Sequence, residues 1–309
     1  MNFTIHIVIS NRSFSYLRFI LRNYRELSSK SSRINFKVYC LDRTVYHRIS
    51  KSKLALDKIL VINAHKGSTG HSMGLSLALK NFTIGHINII SDADVCVLAK
   101  NWDVSLLNFL TTPSSQIMKP TGVIGVTYEN IHGFSSGNGE MQTYKKAPTL
   151  TWCLFMPNYD FSSLDTSPDK NDTILIDSRH LSNIFSLPQG YYLLKDVGWQ
   201  LPLFLFDNSI PYLIFDHIKP SSLDAKILAG ASDYHDEFHY KNLPFLVHQR
   251  GSMKHVFRLS KSSKDFYNRV EKYLEYPNWF IKPSFIDYLY FGLDFIKKAF
   301  LRLVSKRNP

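Results

Sequence analysis

The sequence predicts an α/β domain built on a mostly parallel central sheet flanked by helices, with a helical extension at its C-terminal end. Three observations carry this. Short apolar, β-rich runs alternate with helix-like stretches through the first half of the chain. Three of those runs end directly in polar signatures, Ser10-Asn11-Arg12, Asp42-Arg43 and Asp92-Ala93-Asp94, and ligands of open α/β sheets bind beyond the carboxyl ends of strands. Past Arg258 the chain becomes aromatic and basic, with apolar residues at helical spacing.

In order, Ile5–Ser10 is a short apolar run and reads as a first buried strand. Phe14–Leu27 follows as a helix, and Ile34–Leu41 is β-rich and ends at Asp42. Lys58–Asn63 is the next strand candidate, and Gly67–His71 is a loop leading into a helix through Leu79. Ile87–Ser91 is a buried strand running straight into Asp92 and Asp94. Asn101 is placed to cap a helix through Leu110, and Val123–Tyr128 is a further strand. The second half is less regular. Leu150–Met156 reads as extended, Asp196 opens a helix through Phe206, and Pro211–Phe215 resembles a strand. Ser221–Tyr240 is polar and mixed, which predicts a loop or lid, and Phe245–His248 is a short apolar segment ending in histidine. The division expected is a main domain over 1–258 and a basic, aromatic helical extension over 259–309.

Composition narrows the classes. A chain of 309 residues, 44% hydrophobic and 14% aromatic, can bury a full core and is not disordered. Lys and Arg number 37 against 25 Asp and Glu, a net charge of +12, which favours anionic partners without choosing among nucleotides, acidic glycans, nucleic acid or anionic lipid. Cys40, Cys96 and Cys153 lie far apart, form no C-x-x-C and are odd in number, so buried thiols in a reducing compartment are expected rather than a disulfide framework. The first ten residues lack the basic start and small-residue cleavage site of a signal peptide, and no run of about 20 apolar residues is free of charge. A cytoplasmic protein, peripheral to a membrane at most, is the expectation.

The chemistry concentrates at Asp92-Ala93-Asp94. Two carboxylates one residue apart at the end of a buried strand suit a hard divalent cation, Mn²⁺ or Mg²⁺, that also takes phosphate oxygens. An ordinary acidic turn is the alternative on spacing alone. Gly70-His-Ser-Met-Gly-Leu75, then Ile89-Ile-Ser-Asp-Ala-Asp-Val95, then Asn101-Trp-Asp103, together resemble the GT-A-type glycosyltransferases of family 2 and its relatives. Those enzymes carry a Gly-His-small-x-Gly-Leu helix start, an apolar strand ending in D-x-D, and a Gly-Trp-like element shortly after. The resemblance is closest in that central block and extends loosely from residue 3 to about 255.

The resemblance implies metal contact by Asp94, with Asp92 at the donor's ribose or the metal shell. It also implies donor contacts by Ser10, Arg12, Asp42 and His71. The segment Ala64–Ser68 departs from the family in having no acidic or arginine residue. Asp196, in Lys195-Asp-Val-Gly-Trp199, resembles the acid on the acceptor side that takes the hydroxyl proton in an inverting transfer. A helix N-cap is its other reading. His248 resembles the late histidine that completes the metal site, against an ordinary structural histidine. Trp152 sits where relatives place an acceptor-facing strand, with core packing as the alternative; Trp199 is a second aromatic more suited to packing. His235, Glu237 and His239 alternate and would share one face as a strand, although a solvated loop is the favoured reading.

In the tail, Phe285, Leu289, Leu293, Ile296, Phe300 and Leu303 recur at helical spacing beside Lys297, Lys298, Arg302, Lys306 and Arg307. The pattern suits a helix on an anionic membrane surface, or one packed on the domain. The function implied is metal-dependent transfer of a sugar from a nucleotide-sugar donor to a glycan or lipid-linked acceptor. The rivals are a metal-dependent phosphotransferase or nuclease, for which no basic recognition helix or nucleic-acid motif is present, and a binding protein that kept the fold without catalysis.

Overall fold

The computed structural model describes residues 1–10, 13–52, 54–62, 68–111, 121–127, 134–135, 141–142, 147–164, 166, 173–185, 188–194, 198–231, 235–249, 261–276 and 289. The elements in the first half are β1 (Phe3–Ile9), α1 (Phe14–Glu26), β2 (Ile34–Cys40), α2 (Arg43–Lys51), β3 (Lys58–Val61), α3 (Ser68–Lys80), β4 (Ile87–Asp92), β5 (Val95–Val97), α4 (Trp102–Thr111) and β6 (Val123–Val126). Then follow β7 (Phe134–Ser135), β8 (Met141–Gln142), β9 (Thr149–Phe155), β10 (Thr173–Leu175), α5 (Arg179–Phe185), β11 (Tyr192–Leu194), α6 (Gln200–Asp207), β12 (Tyr212–Ile218), β13 (His235–Tyr240), β14 (Leu243–Gln249) and α7 (Lys261–Leu274).

The architecture is α/β. One ten-stranded sheet runs in the order β3-β2-β1-β4-β9-β6-β12-β13-β14-β5. From β3 to β12 the strands point the same way except β9, which is antiparallel to both its neighbours. β1 and β4 are buried along nearly their whole length because both faces are covered, and the polar Thr4, His6, Asn88 and Ser91 within them are interior and hydrogen-bonded. Helices α1 and α4 bury Leu17, Ile20, Trp102 and Leu106 against one face, and α3 buries Leu75, Ala78 and Leu79 in a second apolar cluster with Val8 and Ile90.

From β12 onwards the sheet is antiparallel, through β13 and β14 to β5 at its far edge. Yet β5 starts only three residues after the last residue of the central strand β4. Three residues reach about 10 Å at most, so the antiparallel strip has to curl back over the carboxyl end of β4. That closure places β14 beside the Asp92–Asp94 turn.

Several expectations change. Ser221–Tyr240 is not wholly a loop: His235–Tyr240 forms β13, with its first five residues buried. Its polar sequence hid a strand whose charges are paired inside the protein. The helix expected to start at Asp196 begins at Gln200, with Trp199 at its N-cap position; Asp196 itself lies outside the described residues. A small sheet in the order β10-β11-β7-β8 was not foreseen. The strands are two or three residues long, too short to show periodicity. The three cysteines are buried and free of disulfides, and burial raises each thiol's pKa, that of Cys40 to about 12. Beyond 258, α7 packs into the main core through Phe266, Tyr267, Val270 and Leu274. Tyr267 stacks on Tyr16 and meets Phe19 edge-on at 4.7 Å. The apolar stripe from Phe285 to Leu303 falls outside the described residues except Leu289, which is exposed. Among the described residues no helix is long and apolar enough to cross a membrane.

Candidate metal centre

The site starts from β4. Its last residue, Asp92, projects at the carboxyl end of the sheet, and Ala93 and Asp94 form the turn into β5. The turn is fixed from below by a buried chain of hydrogen bonds. The Trp152 indole donates to the Tyr24 hydroxyl at 2.8 Å, Tyr24 donates to Ser91 Oγ at 3.1 Å, and Ser91 donates to the Asp92 carbonyl at 3.0 Å. Trp152 is fully buried and stacks on Phe215. Its ring has no exposed face for a sugar, so the expected acceptor contact gives way to support of the strand end. On the far side of the turn, the Asn23 side chain donates to the Val97 carbonyl and accepts from its N–H, at 2.9 and 2.8 Å, holding β5 by both backbone groups.

β14 supplies the third group. It pairs with β5 so that His248 lies opposite Val95, and the Gln249 N–H donates to the Asp94 carbonyl at 3.1 Å. This register carries the His248 ring to Asp94, with Nε2 and Oδ1 3.2 Å apart. One ligand atom each from Asp92, Asp94 and His248 lies within 4.8 Å of the others. Residues 154 positions apart in sequence therefore meet because the sheet closes on itself. From the other side, the first turns of α3 bring His71 Nε2 to 3.5 Å from Asp92 Oδ1, with both side chains about a quarter exposed.

The electrostatics of the cluster are strained. Burial and the Asp94 carboxylate raise the Asp92 pKa to about 6, partly offset by His71 and His248. Burial disfavours the His248 imidazolium, but Asp94, Asp92 and Asp236 outweigh it and lift its pKa above the ordinary value. A divalent cation would relieve this crowding of carboxylates. Two carboxylates and an imidazole suit a divalent cation that takes both oxygen and nitrogen ligands. Two ligands of one hard cation lie at most roughly 4–5 Å apart, twice the metal–oxygen distance, and the observed spacing fits.

Of the remaining expected residues, Ser10 and Asp42 follow parallel strands at the same sheet end. Ser10 follows β1, its N–H donating to Ser13 Oγ at 2.9 Å. Asp42 follows β2 and caps α2, accepting from the Val45 N–H at 2.9 Å, and this helix role is the one its geometry accounts for. Arg12 and Asp196 lie outside the described residues. Gly74, from the Gly-x-x-x-Gly helix start, has a physical reason: a Cβ there would meet the Val8 methyls at 2.6 and 2.9 Å. Only glycine lets α3 approach β1 closely enough to set His71 beside Asp92. Asn101 takes a left-handed conformation, φ 55°, which asparagine tolerates better than most residues. Its neighbours are structural: Trp102 is buried and donates to the Tyr24 carbonyl, and Asp103 accepts from the Ser29 N–H and hydroxyl.

Sequence reasoning missed two residues near the site. Asp236, on β13 and wholly buried, lies with Oδ1 2.7 Å from His217 Nε2 and Oδ2 3.9 Å from His248 Nδ1. The other is His217. Asp236 lies in a stretch with no apolar run to mark a strand, and His217 lies two residues beyond the Pro211–Phe215 run at which the expected strand stops. His235, Glu237 and His239, for which a solvated loop is the favoured expectation, instead share an internal face of β13. Glu237 accepts from His239 Nε2 at 2.8 Å and from the N–H groups of Lys226, Ile227 and Leu228. Burial alone raises a carboxyl pKa, but these four donors outweigh it and lower that of Glu237.

No family model and no curated protein matches the chain. Among solved structures, it is similar to TarS 1-349 of S. aureus in complex with UDP-GlcNAc, with 14% identity, a TM-score of 0.37 and coverage of 88% of this chain and 65% of that one. It is also similar to the mannosyltransferase PcManGT from Pyrobaculum calidifontis in complex with GDP-Man and Mn²⁺, with 17% identity, a TM-score of 0.32 and coverage of 41% and 35%. HddC from Yersinia pseudotuberculosis overlaps at 9% identity and a TM-score of 0.33, covering 55% and 84%. The chain thus spans less than two thirds of the length of the first two. Overlap this partial carries no argument about chemistry, which rests on the site itself.

Proposed function

We propose that this chain is a metal-dependent glycosyltransferase that moves a sugar from a nucleotide-sugar donor to a hydroxyl of a glycan or lipid-linked acceptor. The observation that carries the reading is the convergence of Asp92, Asp94 and His248 at the carboxyl end of the central strand, with His71 alongside. Asp92, Asp94 and His248 would hold Mn²⁺ or Mg²⁺, which when bound supplies Lewis-acid stabilisation of a departing diphosphate. His71 sits where it can donate to a donor oxygen beside Asp92. Ser10, Arg12 and Asp42 follow the neighbouring strands and would border the nucleotide, and the net charge of +12 favours an anionic donor.

Asp196 is proposed as the base that removes the acceptor hydroxyl proton as the sugar bond breaks, giving inversion. Support comes from Gly198, two residues on. Its left-handed backbone, φ 82°, packs so closely on Leu150 that a Cβ would lie 2.9 Å from that side chain. Leu150 belongs to β9, whose Trp152 pairs with Ser91, so Gly198 lies at the Asp92 end of the sheet. Attachment to an anionic membrane surface through the expected C-terminal helix of Phe285 to Leu303, on the cytoplasmic side, belongs to the same reading.

The test is a panel of nucleotide-sugars, including UDP-GlcNAc and GDP-Man, incubated with and without Mn²⁺ and followed by thermal shift and by release of nucleoside diphosphate. A donor that stabilises the protein and is consumed only with the cation supports the proposal. A donor bound but never hydrolysed or transferred points to a binding protein, and no donor bound at all overturns the reading.

A further inference from the structure

We infer that Asp236 is a positioning residue for His248, orienting the ring so that Nε2 faces Asp94 and a cation held there. The inference rests on the proposed metal site and adds a residue that does not itself reach it.

Backbone register comes first. Asp236 lies directly opposite His248 across the β13–β14 pair, so the two side chains share one face of the strip. His217 pairs with Phe238, two residues along β13 from Asp236, and so falls on that face as well. The three side chains form a row, His217–Asp236–His248, that ends at Asp94. One carboxylate oxygen of Asp236 is held by His217 Nε2 at 2.7 Å, and the other lies 3.9 Å from His248 Nδ1. Asp236 is fully buried and His217 nearly so.

The chemistry follows from the two ring nitrogens. To ligate a cation through Nε2, His248 must keep its proton on Nδ1. A buried carboxylate on the Nδ1 side favours that arrangement, and the outer partners of metal-bound histidines act in this way. His217 fixes the carboxylate at 2.7 Å, which keeps its second oxygen on the Nδ1 side of the His248 ring. Burying Asp236 costs free energy that a merely structural side chain would avoid. Serving the ligand accounts for its place in the interior.

The experiment measures Mn²⁺ binding by the full chain, by electron paramagnetic resonance of free Mn²⁺, together with melting temperature. Wild type and Asp94→Asn define the site. Asp236→Asn is expected to bind Mn²⁺ about 10–100-fold more weakly. Glu237→Gln, next to it on the opposite face of β13, is expected to lower the melting temperature while leaving the Mn²⁺ affinity of the folded protein unchanged. Equal affinity in wild type and Asp236→Asn overturns the inference and leaves the metal site standing. Equal weakening in Asp236→Asn and Glu237→Gln also overturns it, since strand integrity alone would then explain the loss. Absence of Asp94-dependent binding in the wild type defeats the metal reading and this inference together. Should Asp236→Asn not fold, His217→Gln replaces it, with a smaller weakening expected and unchanged affinity counting against the inference.

Discussion

Glu237→Gln is the substitution whose consequence the structure specifies most fully. The carboxylate is wholly buried and accepts four hydrogen bonds. Oε1 takes the Ile227 and Leu228 N–H groups, and Oε2 takes Lys226 N–H at 3.2 Å and His239 Nε2 at 2.8 Å. Glutamine keeps one acceptor, so the first pair survives in weaker, uncharged form. Its amide then points N–H groups at the Lys226 N–H, a donor facing a donor. Losing charge assistance and stranding one buried donor costs about 2–4 kcal/mol. In a chain of this size that corresponds to a fall in melting temperature of roughly 3–6 °C. The pH dependence has a definite sign. Because the folded-state pKa of Glu237 is lowered, its stabilisation is present above the ordinary carboxyl range and lost as pH falls through the lowered value. The difference between wild type and variant should therefore be largest near neutral pH and shrink on acidification. Thermal melts of both proteins from pH 7 down to pH 3 read it directly. Equal melting temperatures at pH 7, or a gap that widens in acid, would refute the account of Glu237 as an ionised clip holding residues 226–228 to β13.

The other predictions are briefer. Asp94→Asn should abolish Mn²⁺-dependent donor binding along with turnover, whereas Asp196→Asn should keep donor affinity and melting temperature and lose about 10²–10⁴-fold in transfer rate; near-normal transfer by Asp196→Asn returns it to a capping role. Gly74→Ala pushes a methyl into Val8 and should cost about 1–3 kcal/mol, and by displacing α3 it should weaken donor binding, measured by thermal shift. Flotation with anionic liposomes should show salt-sensitive binding that is lost on removing the residues after Pro283, and undiminished binding by the truncated chain sinks the membrane reading.

The sequence by itself determined the parallel half of the fold. β1 and β4 are buried along nearly their whole length and β2 on alternate residues before its buried end, so each is rich in β-branched and aromatic residues and the polar signatures after them fall at the strand ends. The Asp92–Asp94 pair was legible for that reason. The antiparallel strip was not legible. β13 carries His, Asp, Glu and His in the interior, a pattern that resembles a solvated loop until the partners on β12, β14 and the loop of 226–228 are known. Trp152 shows the same limit from the other side: its type suited a sugar, and its burial against Phe215 and Tyr24 was a matter of packing. Only the tertiary structure decided that His248 meets Asp94, because that contact depends on a short β4–β5 turn forcing the last strands of the sheet back over its centre. Local sequence sets which residues a strand buries, whereas the closure of a sheet is set by pairings between segments far apart in the chain.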